Sequence, residues 1–369
     1  MTTFVETLQK RSLALASLLG VDIPFLNAPM TDAAGPDLAA AVTSAGGLGV
    51  LAAGFSSPET LARDIARVRA ATQRPFAVGL RIPVKGAKES LAAAQKCAHA
   101  LEDLALELGL EAPYAWSPEP DFEGQFEVVL EHDVPVVVVS FGGLREIYAE
   151  KLEQKGVTVL GAATTLREAK VQRAAGAAGI IVQGVEAGGP RLNFEQPDAL
   201  SQVGLMSLIG PAARATGLPV IAAGGIASGA QWAAALAAGA SGVMAGSALL
   251  RTNECALAPE AKEQLAWLTD AGTRLVRTFE GRLSRVVVNG LVLALEEAGV
   301  ACGDYPEQAC AMRPILEAAR RLGREDLMEI AAGQGAMLAR TGPAAAVVGR
   351  LADELKALLG SGDFFKNPA

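Results

Sequence analysis

The chain has 369 residues, enough for two or three domains of ~100–200 residues or for one large α/β unit with additions. Hydrophobic residues make up 51% of it and charged residues 20%, which excludes a disordered chain. A formal net charge of −8 and an aromatic content of 5% argue against nucleic acid and anionic membranes as partners. The composition therefore indicates a globular protein with ample apolar surface for a core.

The cysteines and the N-terminal segment both predict a cytoplasmic protein. Cys97, Cys255, Cys302 and Cys310 lack the C-x-x-C spacing of zinc and redox sites, so we expect free thiols and no metal. The N-terminus has only a short apolar run and matches a signal peptide poorly. Glycine and proline interrupt the uncharged stretch 215–250, whereas a membrane-spanning helix needs ~20 continuous apolar residues.

Eight apolar, β-rich runs recur along the chain, and most of them precede a segment with helical periodicity. This alternation predicts βα units in a parallel sheet. Runs such as VPVVVVS and GIIVQG are apolar at almost every position, so both of their faces must be covered. Eight such strands favour an α/β fold of the (β/α)8 TIM barrel type over an open sheet. The predicted strands are 24–30, 48–53, 76–82, 135–140, 157–162, 179–183, 219–223 and 242–245.

Two segments exceed a minimal barrel. A long helical pattern and a proline-rich loop separate the third and fourth strands, and the last third of the chain reads as helices apart from RVVVN. We expect both to pack together as a smaller helical cap domain over the C-terminal mouth of the barrel, where they would shape and dry the site. The predicted domains are a barrel over 20–84 and 126–262, and a substrate cap over 85–125 and 263–360.

Glycine-rich loops follow the last two predicted strands. Residues 222–229 read AAGGIASG, and residues 244–247 read MAGS. Barrels of this class often bind phosphate at these two positions, through backbone N–H groups and a short helix N-terminus. Glycine pairs also make ordinary tight turns, but their presence after both strands predicts a phosphate site. A third glycine-rich loop, QGVEAGGP over 183–190, lies at the same face.

Seven motifs follow one another in a recognisable order. They are NAPM at 27–30, LAAAVTSAGGLGVL at 38–51, QGVEAGG at 183–189, IAAGGI at 221–226, MAGSALLRTNECALAPEAK at 244–262, GRLSRVVVN at 281–289 and AAGQGAMLAR at 331–340. In this order and spacing the chain resembles the nitronate monooxygenase (2-nitropropane dioxygenase) family of FMN-dependent TIM barrels, which is related to flavin-type enoyl-ACP reductases.

The resemblance implies an FMN cofactor and a set of residues around it. NAPM would line one face of the isoalloxazine ring, a glutamine would hydrogen-bond the flavin, and the glycine-rich loops would hold the ribityl chain and phosphate. Gly79 stands where the third strand of the family usually carries asparagine, so one flavin contact is expected to differ. The implied cofactor residues are Asn27, Ala28, Pro29, Met30, Gly79, Gln183, Gly188, Gly189, Ala223, Gly224, Gly225, Met244, Ala245, Gly246 and Ser247.

The chain departs from the family at the catalytic base. Members carry a histidine either directly after EAGG or in the fourth strand, and this chain has Pro190 and Ser140 at those places. A serine hydroxyl is not a base near neutral pH without help, so Ser140 is expected to act as a hydrogen-bond donor. His99 and His132 lie in the inserted helix and before the fourth strand, where neither suits a base.

Other polar side chains are expected at the catalytic mouth. Glu186 is a candidate catalytic group, although an EAGG glutamate can equally hold the loop backbone; Asp32 is a further candidate. Arg81, Arg145 and Arg191 follow the third, fourth and sixth strands and are predicted to bind an anionic substrate. Each of the three could instead make a surface ion pair.

The first functional hypothesis is FMN-dependent oxidation of small nitronates by molecular oxygen. A nitronate has already lost its carbon proton, so the missing histidine does not exclude this reaction. One alternative is an NAD(P)H-dependent flavin reductase acting on a quinone or an enoyl thioester. Another is a flavin-binding protein without catalysis. The expected partners are a small-molecule substrate and oxygen, with a homodimer left open.

Overall fold

The computed structural model describes residues 3–85 and 88–366. Eight parallel strands form one sheet in the order β1-β9-β8-β6-β5-β4-β3-β2. These eight fall on the eight predicted runs, so the TIM-barrel prediction is confirmed. The strands are β1 Phe25–Asn27, β2 Val50–Ala52, β3 Ala77–Arg81, β4 Val136–Ser140, β5 Thr158–Ala163, β6 Gly179–Gln183, β7 Gly189–Pro190, β8 Val220–Ala223, β9 Gly242–Ala245, β10 Thr273–Val276 and β11 Ser284–Val287.

The side chain of Asn27 closes the barrel between its first and second strands. Leu48 donates its backbone N–H to the carbonyl of Phe25 at 2.9 Å. At Val50 the side chain of Asn27 replaces the backbone as the hydrogen-bond partner. Its Oδ1 accepts from the N–H of Val50, and its Nδ2 donates to the Val50 carbonyl, both at 2.8 Å. A buried side chain therefore supplies the bonds that a backbone ladder would make.

Helices cover the outside of the barrel, and local signals start several of them. Ser57 accepts from the N–H of Thr60, and Thr165 forms a reciprocal capping box with Glu168. The helices are α1 Phe4–Leu19, α2 Pro36–Ser44, α3 Pro58–Ala71, α4 Lys88–Ala100, α5 Glu102–Glu107, α6 Phe122–Glu131, α7 Glu146–Gln154, α8 Leu166–Ala174, α9 Leu205–Thr216, α10 Gly229–Ala238, α11 Pro259–Gln264, α12 Gly290–Glu297, α13 Glu307–Arg321 and α14 Ala344–Leu359.

The barrel interior is packed with branched and small side chains, and α1 contributes to it. Leu15 and Leu19 of α1 share one buried cluster with inward side chains of the strands, including Leu26, Val138 and Ile221. Leu15 also lies where a Cβ on Gly242, the first residue of β9, would stand. The first helix therefore seals the N-terminal end of the barrel, whereas the carboxyl ends of the strands remain available for a site.

The inserted helices and the later part of the chain form a second buried cluster. Cys97 of α4, Leu291 of α12 and Ile315 of α13 pack together in it, and these elements are called the cap below. A three-stranded sheet connects this cap with the EAGG loop, because β11 pairs with β10 on one side and with β7 on the other. The sequence indicated β11 through RVVVN but gave no comparable signal for β10.

The last helix, α14, packs against the outer helices of the barrel. Val347 and Leu351 of α14 lie in the same buried cluster as Trp232 of α10 and Leu38 of α2. The predicted cap segment 263–360 therefore includes a helix that completes the outer layer of the barrel. Over the described ranges, every helix is too short or too polar to cross a membrane.

Candidate functional site

A cavity opens at the carboxyl ends of the barrel strands and extends beneath the cap. Its floor comes from the barrel loops, and its roof comes from α13 and the segments around residues 280 and 330. Fourteen of the fifteen residues that the resemblance assigns to FMN line it. These are Ala28, Pro29, Met30, Gly79, Gln183, Gly188, Gly189, Ala223, Gly224, Gly225, Met244, Ala245, Gly246 and Ser247.

The loops after β8 and β9 offer hydrogen-bond donors to this cavity. Gly224 and Gly225 have φ values of +120° and +69°, which few other residues adopt. Within residues 3–85 and 88–366, the backbone N–H groups of Gly224, Gly225 and Gly246 have no protein acceptor. All three residues line the cavity, where their unpaired N–H groups would fit an anion such as a phosphate.

Ser247 supports the same interpretation. Its Oγ accepts from the backbone N–H of Gly333 at 2.8 Å, which leaves the hydroxyl proton free to donate. Gly333 in turn lies so close to Gly188 that a Cβ on Gly188 would come within 2.5 Å of the Gly333 nitrogen. The AAGQG segment is therefore pressed onto the EAGG loop and closes one wall of the cradle. The residues present fit the phosphate end of FMN.

Gln183 and Arg191 form a rigid unit beside the cradle. The Gln183 amide donates to the carbonyl of Pro190 at 3.0 Å and accepts from Arg191 at 2.8 Å. Arg191 is fully buried and also donates to the carbonyls of Gly184 and Ser201. Burial lowers the pKa of Arg191 to about 10. This guanidinium ties the loops together from behind, and the structure does not bring it to the cavity.

Three other predicted residues also point away from the cavity. Asn27 closes the barrel as described above. Both carboxylate oxygens of Glu186 accept from the backbone N–H of Leu205, at 3.0 and 3.1 Å, which caps the N-terminus of α9. Arg145 lies over the ring of Tyr148, 4.8 Å from its centroid, and donates to that hydroxyl at 2.8 Å. Local hydrogen bonding therefore accounts for all three side chains.

Arg81 is the predicted arginine that does line the cavity. It donates to Thr31 at 2.9 Å and pairs with Glu280 at 3.3 Å, and its side chain is only 11% exposed. The rings of Phe55 and Phe141 flank its guanidinium, with centroids 5.7 and 5.2 Å away. Burial disfavours its charge, but the charge and hydrogen-bond interactions with Glu280 and Tyr305 together outweigh burial and hold the pKa of Arg81 above its ordinary value.

Ser140, the last residue of β4, lines the cavity, as the sequence analysis predicts. Its hydroxyl donates to the carbonyl of Leu80 at 3.3 Å, so it is occupied by the barrel backbone. Phe141 follows with a φ of +68°, which is rare for a bulky residue and turns the chain sharply at the end of β4. The ring of Phe141 meets that of Tyr305 from the cap edge-on, with centroids 5.1 Å apart.

Sequence reasoning missed the charged residues that the cap contributes. Arg313, Glu317 and Arg320 of α13 line the cavity together with Asp32, and so do Glu280 and Glu329. Asp32 accepts from Arg320 at 3.1 Å and pairs with Arg313 at 3.5 Å. Two of these residues could have been suspected from their positions next to the motifs. Glu280 directly precedes GRLSRVVVN, and Glu329 stands two residues before AAGQGAMLAR.

The carboxyl group of Glu329 has a strongly raised pKa. Burial, together with the negative charges of Glu280 and Asp32, raises the pKa of Glu329 to about 8, although Arg81 and Arg320 act in the opposite direction. A carboxyl group with such a pKa can hold or release a proton near neutral pH.

Known proteins resemble this chain over nearly its whole length. The family model described as nitronate monooxygenase matches residues 12–354. A probable nitronate monooxygenase of Staphylococcus aureus (strain MSSA476) is 29% identical over 347 residues, or 94% of this chain and 98% of that protein.

Solved structures agree in fold. Nitroalkane oxidase from Streptomyces ansochromogenes is 36% identical with a TM-score of 0.85, over 94% of this chain and 99% of that chain. FabK from Thermotoga maritima is 26% identical with a TM-score of 0.74, over 94% and 97% of the two chains. The resemblance seen in the sequence is confirmed: the chain belongs to the nitronate monooxygenase family and is an oxidoreductase.

Proposed function

We propose that the chain binds FMN in this cavity and oxidises small nitronates, the anions of nitroalkanes, with molecular oxygen. The observation that carries the proposal is that one cavity joins a cradle of unpaired backbone N–H groups to a chamber containing Arg81. A phosphate at one end and an anionic substrate at the other would satisfy both sets of donors. When bound, FMN supplies an acceptor for an electron pair that oxygen can later remove.

The cofactor end is assigned to the barrel loops. Gly224, Gly225 and Gly246 would donate their N–H groups to the phosphate, and the hydroxyl of Ser247 would add a further bond. The amide of Gln183, already fixed by Arg191, would present a defined edge to the ring system. A single phosphate cradle favours FMN over FAD, which carries a second nucleotide.

The substrate end is assigned to Arg81 and the cap. The guanidinium of Arg81 would attract the nitronate oxygens, and its stacking between aromatic rings fixes its position before substrate arrives. The cap excludes water above the site, which strengthens this attraction. Ser140 lies beside this end, but its hydroxyl already bonds the backbone, so it would shape the wall rather than move a proton.

A reductase that takes hydride from NADH or NADPH is the second candidate, because FabK from Thermotoga maritima shares the fold at 26% identity. The two functions differ in the source of electrons. The experiment is oxygen consumption by the flavin-loaded protein with a preformed nitronate, and separately with NADPH and a quinone. Oxygen uptake with nitronate alone supports the proposal, whereas turnover only with NADPH would replace it with the reductase.

A further inference from the structure

The cavity contains four carboxyl groups, and three of them have cationic partners. Asp32 pairs with Arg320 at 3.1 Å, and Glu280 pairs with Arg81 at 3.3 Å. Glu317 pairs with Arg313 at 2.7 Å. For the side chain of Glu329, the described part of the chain provides no hydrogen bond and no ion pair within bonding distance. Glu329 is therefore the carboxyl group of this cavity that is free to act on a bound molecule.

The backbone on both sides of Glu329 is held firmly. The carbonyl of Met328 accepts from the side-chain amide of Asn289 at 2.8 Å, and the carbonyl of Ile330 accepts from the N–H of Val287 at 2.9 Å. Ala331 then bridges to Val286 of β11. The backbone that carries Glu329 therefore keeps its position relative to the cradle, which limits the region of the cavity that the carboxyl group can reach.

The surroundings of Glu329 come from four separate parts of the chain. Asp32 follows β1 and Glu280 precedes β11. Arg81 ends β3, and Arg320 lies in the last turn of α13. The two acids and burial favour the neutral form of Glu329, and the two arginines favour the charged form. The net result is a pKa of about 8, at which both forms are populated near neutral pH.

Among residues 3–85 and 88–366, the other groups considered as a base lie outside the cavity or are already hydrogen-bonded. The side chain of His99 is 81% exposed and pairs with Glu102 on the cap surface. His132 ends α6, before β4 begins, at the end of the barrel opposite the cavity. Glu186 is committed to the N-terminus of α9, and Ser140 bonds a backbone carbonyl.

We propose that Glu329 is the catalytic base for neutral nitroalkanes, in place of the histidine that this chain lacks. The inference rests on the proposed function and extends it to a second substrate form. The ionised carboxylate takes the proton from the carbon that bears the nitro group. The C–H bond breaks and its electron pair forms the C=N bond of the nitronate, while the N=O π pair of the nitro group moves onto oxygen as negative charge. The proton becomes bonded to a carboxyl oxygen of Glu329. The step needs no oxidant, and the product is the nitronate that the enzyme then oxidises.

The test compares a neutral nitroalkane with its preformed nitronate in the flavin-loaded protein. Bleaching of the flavin is followed after rapid anaerobic mixing, before the two forms interconvert. Glu329→Gln should slow bleaching by the nitroalkane by ~10²–10⁴-fold, the usual contribution of a positioned base, and change the nitronate rate little. Glu325→Gln is the matched control, because Glu325 is exposed on the same segment outside the cavity. In the unaltered protein, the nitroalkane rate should rise with pH towards a plateau above about pH 8.

Two further readouts keep the inference testable if Glu329→Gln binds flavin poorly. Glu329→Asp retains a carboxylate and should recover part of the nitroalkane rate with a shifted pH profile. Infrared titration of the protein without substrate should show a protonated carboxyl band that persists to about pH 8 and is missing in Glu329→Gln.

The outcomes separate this inference from the proposed function. Equal slowing of both substrate forms, or no slowing of either, would overturn the role of Glu329 as a base. A protein that is bleached by neither form would overturn the proposed function itself.

Discussion

Arg81 combines charge, burial and a fixed position in the cavity. It sits between the aromatic rings of Phe55 and Phe141 and keeps a carboxylate partner, Glu280. An anionic substrate would share this cation with Glu280, so binding is expected to depend on Arg81 more than on any surface arginine.

Replacing Arg81 with Met should weaken the binding of an anionic nitronate. The loss of a charged hydrogen-bond partner, at ~1.5–3 kcal/mol, corresponds to a rise in KM of roughly 10- to 100-fold. FMN affinity should change much less. The measurement is steady-state oxygen uptake across nitronate concentrations.

Arg145→Met is the control for that variant, since Arg145 lies on Tyr148 away from the cavity. Unaltered KM in both variants would remove Arg81 from substrate binding. Because Arg81→Met also leaves Glu280 without its partner, the melting temperature should be recorded for each protein.

Glu329 makes a separate prediction about stability. A carboxyl group whose pKa is raised by folding stabilises the protein fully below its unfolded pKa, and this contribution is lost as pH rises through about 8. Glu329→Gln should therefore reduce the fall in unfolding free energy between about pH 5 and 8. Denaturant unfolding at several pH values checks this, and the same pH dependence in both proteins would show that Glu329 titrates normally.

At the scale of elements, the loops after β8 and β9 carry the cofactor assignment. Gly225→Leu adds bulk at a residue that lines the cradle and requires a positive φ. We expect the Kd for FMN to rise by at least about tenfold, through lost hydrogen bonds to a charged group.

Gly323→Leu provides a matched control for backbone strain. Gly323 has a φ of +66°, close to the +69° of Gly225, but an added Cβ there would meet nothing within 4 Å. The control should lose stability and keep FMN affinity, measured by fluorescence titration of the apoprotein. Equal effects of both variants on FMN affinity would place the phosphate elsewhere.

The seam between β1 and β2 offers another test. Asn27→Ala leaves the N–H and the carbonyl of Val50 buried without partners, which costs ~1–3 kcal/mol for each group. The denaturant midpoint should fall clearly, whereas Asn253→Ala, at an exposed asparagine, should have little effect. A selective loss of FMN affinity with unchanged stability would instead support the flavin contact that the resemblance implies for Asn27.

The barrel strands show which parts of the fold could be predicted from the sequence. Buried parallel strands read as continuous apolar runs, so all eight barrel strands could be located. The role of Asn27 could not be decided from the sequence. The resemblance implied a flavin contact, but a buried asparagine in a motif can equally replace a backbone hydrogen-bond ladder, as it does here. β10 escaped notice because only one of its four residues is buried.

At the scale of the whole molecule, the charged chamber arises only from long-range packing. The sequence of α13 predicts an amphipathic helix but does not show which part of the molecule its polar face contacts. The ion pairs of Arg313 and Arg320 with Asp32 therefore could not be predicted. The pKa of Glu329 depends in part on Asp32 and Arg81, which lie in the first quarter of the chain. Local patterns therefore predicted the barrel and the cradle, whereas the substrate end required the assembled cap.

The architecture assigns separate tasks to its two layers. The barrel supplies the cradle together with Arg81 and Asp32, and the cap supplies the roof and the remaining charged groups of the cavity. α14 returns to the barrel after the second cap segment, so this segment lies between β9, the last barrel strand, and the last helix. We expect cap variants to change substrate kinetics more than FMN affinity.

The most direct test of the central claim is anaerobic mixing of the flavin-loaded protein with a preformed nitronate, monitored through the flavin absorbance. The account predicts rapid bleaching by nitronate, recovery of the absorbance when oxygen is admitted, and little bleaching by NADPH. Absence of bleaching by nitronate together with rapid bleaching by NADPH would contradict it.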